Sequence, residues 1–228
     1  DDDGDPDLYV ANDFFGPDHL YRNDRGKFID VAREILPHVP WFSMGTDVAD
    51  INNDGLLDLM GTDMAGSSHF KSKVGMGDMD KSRWFLETAN PPQYMRNTLF
   101  VNAGGGRFLE AAQMAGVANT DWTWSVKLAD LDCDGWVDIY GTNGMTHDSN
   151  NPDLAAKADA LNGELERAEF WRRSGLKKDN NFAFRNLGGL QFEPIAKQWG
   201  LGFFGVSYGA TFADFDGDGD LDIAVASQ

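Results

Sequence analysis

The stretch Ala213-Asp214-Phe215-Asp216-Gly217-Asp218-Gly219-Asp220-Leu221-Asp222-Ile223 places carboxylates at positions 1, 3, 5 and 9 and glycine at position 6. Alternate side chains of such a turn point to one centre, and glycine at 6 lets the backbone curl tightly enough to gather them. The pattern recurs as Asp50, Asn52, Asp54, Gly55, Asp58 and as Asp130, Asp132, Asp134, Gly135, Asp138. A shorter copy, Asp1, Asp3, Gly4, Asp7, opens the chain. The position-7 carbonyls of Leu56, Trp136 and Asp220 complete three oxygen-rich cages suited to a hard cation, and calcium fits their ligand number and flexibility.

An EF-hand begins the same way but needs an acidic ligand at position 12, where Gly61, Gly141 and Val225 stand. The runs that follow, Leu57–Met60, Val137–Tyr140 and Leu221–Val225, are short, apolar and rich in β-formers. These turns therefore join strands. Solvated hairpin turns also favour Asp, Asn and Gly, but the repeated spacing argues for ligation over that simpler reading.

The loop glycines Gly4, Gly55, Gly135 and Gly219 lie 51, 80 and 84 residues apart. Within the shortest interval, alternation marks strands at Leu8–Ala11, His19–Asn23 and Lys27–Ala32, and residues 42–49 lead into the next turn. Hairpins of the same kind recur at Asn97–Asn102 with Arg107–Ala112, and at Phe182–Asn186 with Gln191–Ala196. A unit of roughly 50 residues with four short strands predicts an all-β fold, a β-propeller of four-stranded blades.

These residues resemble the FG-GAP or VCBS-type repeats of integrin-α-like propellers. The pairing of Ala-Asp-x-Asp-x-Asp-Gly-x-x-Asp with Leu-Tyr-Arg-Asn and Gly-x-Phe is most similar to the ASPIC/UnbV and cartilage-acidic-protein family. The resemblance implies calcium ligation at the three complete turns, with Asp1, Asp3 and Asp7 remaining of the first. It also implies a propeller, usually seven-bladed, and no particular catalytic activity. Three repeat periods make about half of such a ring, and a half ring would leave strand edges open. The expectation is that residues 1–228 form one partial propeller, completed by the rest of a longer polypeptide or by other subunits.

Two insertions, residues 63–96 and 143–180, fall at the same step of successive repeats and are expected side by side on one rim. The second predicts a helix capped by Asn151 and started by Pro152, with Leu154, Ala158, Leu161, Leu165, Ala168 and Trp171 on one face. Trp84, Tyr94, Trp122, Trp124 and Trp171 make the rim the candidate surface for a protein or glycan partner.

Formal charge is −18 over 228 residues, with 42% hydrophobic content, which excludes a disordered acidic tail and disfavours nucleic acid as a partner. Cys133 is the only cysteine, so no disulfide framework exists. No run of about 18 apolar residues is present to span a membrane. Calcium sites of this type are expected outside the cytosol: extracellular, at the cell surface or in the periplasm. His19, His38, His69 and His147 sit in no catalytic spacing. The sequence thus predicts a non-enzymatic, calcium-stabilised module for binding, adhesion or assembly, with a secreted calcium-dependent hydrolase or lyase as the alternative.

Overall fold

A computed structural model describes residues 3–75, 84 and 87–228. Strands β1 (Leu8–Val10), β2 (His19–Asp24) and β3 (Lys27–Asp30) form sheet I in chain order. A single helical turn α1 (Ala32–Ile35) and the short β4 (Val39–Pro40) follow. Sheet II runs in the order β5 (Thr46–Ala49), β6 (Asp58–Gly61), β8 (Thr98–Asn102) and β9 (Phe108–Glu110). Between β6 and β8 lie α2 (His69–Gly75) and β7 (Gln93–Tyr94), the latter pairing in parallel with β4.

Sheet III repeats the plan with β10 (Thr123–Ala129), β11 (Asp138–Asn143), β13 (Phe182–Asn186) and β14 (Phe192–Pro194). Its insertion carries α3 (Pro152–Asp159), α4 (Glu164–Ser174) and β12 (Asp179–Asn180), which pairs with β15 (Phe204–Gly205). Sheet IV is the hairpin of β16 (Ser207–Ala213) and β17 (Asp222–Ser227). Each of the three complete acidic turns is the hairpin between the first two strands of a sheet, so these sheets start one strand before the turn that marks the sequence repeat.

The sheets pack face to face, and the alternation of side chains along a strand explains how. In β6, Leu59 joins one core cluster with Phe100, Val39 and Leu36, while its neighbour Met60 joins a second with Leu99, Val126 and Ile139. Sheet II is therefore buried on both faces, between sheets I and III. The first strand of sheet III, β10, lies against both β5 and β16. Within sheet III, Gly141 makes room for its cross-strand partner: a Cβ there would sit 2.1 Å from the Phe182 ring.

The helix expected through Trp171 is two. Asn151 accepts the amides of Asp153 and Leu154 and caps α3, as its position predicts. The chain then leaves helical geometry, and Gly163 enters α4 in an extended conformation with φ −117°. Asn162-Gly163 is a breaker pair whose effect the continuing three-and-four spacing of apolar residues conceals. Leu165 consequently ends 87% exposed.

The two insertions touch. Lys71 in α2 donates to Asp179 (2.7 Å) and to Asp121 (2.6 Å), and Asn150 donates to the Gly75 carbonyl. Among the described residues no helix is long and apolar enough to cross a membrane.

Candidate metal centres

The three complete turns share a backbone scaffold built by their own carboxylates. The position-1 oxygens accept two amides of the turn: Asp54 and Gly55 donate to Asp50, Asp134 and Gly135 to Asp130, and Gly217 and Gly219 to Asp214. Position 6 is left-handed in each, with φ +87° at Gly55, +89° at Gly135 and +101° at Gly219. Position 4 is left-handed as well, at Asn53 (58°), Cys133 (59°) and Gly217 (79°). Asparagine tolerates that region through local hydrogen bonding, and glycine through its missing Cβ.

Position 9 ties each turn to its sheet. Asp58 accepts from Ile51 (2.9 Å) and from Asn102 (2.8 Å) in β8, and Asp138 accepts from Leu131 (2.9 Å) and from Asn186 (2.8 Å) in β13. Both are fully buried. Burial raises both carboxyls, against the pull of those amides. Asp222 accepts only from Phe215 among the described residues and is exposed.

The asparagines on the receiving strand are a repeated device that motif spacing did not single out. Asn23, Asn102 and Asn186 each donate through Nδ2 to the carbonyl of the residue immediately before the position-9 aspartate, at Pro6, Leu57 and Val137. Each also accepts the amide of a glycine in the following turn, Gly26, Gly104 or Gly188. Asn186 reaches further, donating to the Ile51 carbonyl of sheet II. The Asn that ends Leu-Tyr-Arg-Asn was the available signal.

The gathering of oxygens differs from turn to turn. Carboxylate oxygens of Asp130, Asp132 and Asp138 lie within 4.8 Å of one another, as do those of Asp214, Asp216 and Asp218. Asp134 and Asp222 stand outside these groups. In the second turn Arg185 Nη2 donates to Asp134 (2.8 Å) while its Nε pairs with Asp132 (2.7 Å). The Trp136 amide and Arg185 hold the Asp134 carboxyl below its ordinary range. At Asp50–Asp58 no such triad of carboxylates forms among the described residues, and Asn52 instead donates to Asp54 (3.0 Å). In the first turn Asp7 accepts from Asn23 and Asp3 from Asp5, while Asp1 lies outside the described residues.

A hard cation fits the group at Asp130, Asp132 and Asp138. The donors are all oxygens, and Asp132 Oδ1 is buried without a hydrogen-bond partner, an acceptor still to be satisfied. Adjacent turns are also linked: Asn53 donates to the Gly135 carbonyl (2.9 Å), and Cys133 Sγ lies 3.5 Å from Asp220.

At the opposite end, the five rim aromatics separate. Trp122 and Trp124 lie together with centroids 6.0 Å apart, Trp171 packs near His147, and Tyr94 stands elsewhere against His38 and Arg96. Trp84 is 66% exposed.

A family model described as FG-GAP-like repeat matches residues 1–61, 87–141 and 172–225, leaving out most of both insertions. No curated protein matches the chain.

Proposed function

The chain belongs to the FG-GAP-like repeat family, and from that premise we propose that it is part of a β-propeller that acts outside the cytosol as a calcium-stabilised, non-enzymatic binding module. The observation that carries this reading is the recurrence of one acidic turn at the same end of successive sheets, twice with three carboxylates drawn together. Asp130, Asp132 and Asp138 would hold one ion, and Asp214, Asp216 and Asp218 another. Bound calcium supplies positive charge where the chain concentrates negative charge. The protein's own part is to fix the cage: position 1 folds each turn, and at Asp138 position 9 anchors the turn to the third strand of its sheet. Links from Asn53 to Gly135 and from Asn186 to Ile51 carry that rigidity to the neighbouring blade.

The other end of the sheets carries the insertions, and these form the partner surface. Catalysis finds little to work with there. Asp63, the carboxyl that burial pushes up to about 7, is fully enclosed and accepts the amides of Trp41, Phe42 and Met64, so it has no path to a substrate. In this reading the rest of the ring comes from the surrounding polypeptide or from other subunits.

Thermal melting of the full-length polypeptide with calcium, and then with chelator, tests the proposal. At a calcium concentration about 100 times the dissociation constant, each site adds about 2.7 kcal/mol. A large, calcium-reversible fall in melting temperature is expected. An unchanged melting curve after chelation contradicts the proposal.

A further inference from the structure

At the rim away from the acidic turns, neighbouring sheets present an aromatic side chain at the same step of the repeat. Trp124 stands six residues before Asp130 and Tyr208 six before Asp214. Their ring centroids are 5.8 Å apart. The second insertion supplies the facing wall, with Trp171 from α4 and His147, centroids 6.3 Å apart, and the hydroxyls of Thr146 and Ser149. These side chains line a cavity of about 380 Å³.

The walls are fixed in place. Trp124 Nε1 donates to the Gly144 carbonyl (2.5 Å), and the Tyr208 and Thr146 hydroxyls are 2.6 Å apart. Met145 and Lys177 exchange two backbone hydrogen bonds of 2.9 Å, which pin the insertion at the mouth. Such preorganisation lowers the ordering cost of binding.

The chemistry of the lining selects a ligand class. Among the described residues no carboxylate, lysine or arginine lines the cavity. Lys177 instead packs over Trp122 at 5.2 Å and pairs with Asp148 at 3.3 Å. Aromatic faces accept the apolar C–H face of a pyranose ring, and the hydroxyls and imidazole match its rim of OH groups. A quaternary ammonium would find rings but no carboxylate in the lining, and an anionic sugar would meet a chain of formal charge −18. The volume falls near the lower end of the range of about 300–1,000 Å³ for small-ligand sites, room for about one or two sugar rings.

We propose that the cavity between Trp124, Tyr208 and Trp171 is a binding site for a neutral saccharide, with a sugar ring against the indoles and its hydroxyls toward Thr146, Ser149 and Tyr208. This rests on the reading of the inserted rim as the partner surface and gives that surface a ligand class.

The test titrates the calcium-saturated full-length chain with lactose, cellobiose, diacetylchitobiose and mannobiose, reading tryptophan fluorescence and saturation-transfer NMR, with choline chloride as comparator. At least one disaccharide should bind saturably, and Trp171→Ala should weaken it about tenfold or more, with Trp171→Phe restoring part of the affinity. Absence of saturable binding by all four sugars, binding of choline alone, or equal sugar affinity in Trp171→Ala overturns the proposal. Chelator melting run on the same samples separates the two readings. If melting stays calcium-dependent, only the saccharide site falls. If melting is indifferent to calcium, the stabilised-module reading falls whatever the sugars do.

Discussion

The turns Asp130–Asp138 and Asp214–Asp222 have nearly the same spelling and different surroundings. The first lies between sheets II and IV, and its position-9 carboxylate is buried, doubly hydrogen-bonded and part of the gathered triad. The second hangs from a two-stranded sheet, and its position-9 carboxylate is exposed and turned from the triad. The acidic motif supplies the carboxylates, but the third strand of the sheet decides whether the position-9 one is held in place. Asn186 performs that task for Asp138; no described strand does so for Asp222.

The largest effect should come from removing position 9. Asp138→Ala leaves the buried amide of Asn186 and the part-buried amide of Leu131 without acceptors, at a cost of about 2–4 kcal/mol. Asp222→Ala frees one exposed amide and should cost less than about 1 kcal/mol. Urea unfolding of both variants in chelator reads the contrast without the ion. Equal losses would break the comparison.

A second test isolates burial from ligation. Asp63 is as buried as Asp138 but sits at the insertion end, away from the acidic turns. Burial raises its carboxyl from an ordinary 3.8 to about 7 in the folded state. The folded state therefore holds an extra proton between those values. That contribution is complete below the ordinary carboxylate range and is lost as pH rises through about 7. Stability of the calcium-saturated chain should fall from pH 5.5 to pH 8 more steeply than that of Asp63→Asn, as read by urea midpoints. Parallel slopes would show that burial alone does not shift such a carboxyl.

Arg185 offers a third. It stands where sheet II has Val101, and its guanidinium draws on Asp132 and Asp134. Arg185→Val should tighten cation binding at Asp130–Asp138 by roughly threefold to tenfold in calorimetry, because a fixed positive charge beside the cage is removed. Weaker binding would make Arg185 a support of the cage. The smallest effect is expected at Asn53→Gly, which keeps the left-handed backbone and removes only the exposed bond to Gly135, about 0.5 kcal/mol. A loss above about 2 kcal/mol would mean that adjacent turns are far more tightly joined than one such bond provides.

Much of the fold was legible because its signals are local. Alternation at Thr98–Asn102 and Phe182–Asn186, with glycines between the paired runs, places the hairpins within a residue or two of where they form. Turn spacing likewise places the acidic turns between the first two strands of sheets II, III and IV. Which donors converge was not legible, since it depends on partners distant in the chain: Asp134 turns to Arg185, and Asp138 is held by Asn186. The break at Gly163 was hidden by apolar spacing that runs across it. Tyr208 carried no signal of its own, and its place beside Trp124 appears only when the two repeats are overlaid on their first aspartates.

The most direct measurement is an anomalous-scattering map from crystals of the full-length polypeptide grown in calcium. The account predicts a peak enclosed by Asp130, Asp132 and Asp138 and another enclosed by Asp214, Asp216 and Asp218. Clear density for those side chains with no ion among them would contradict it.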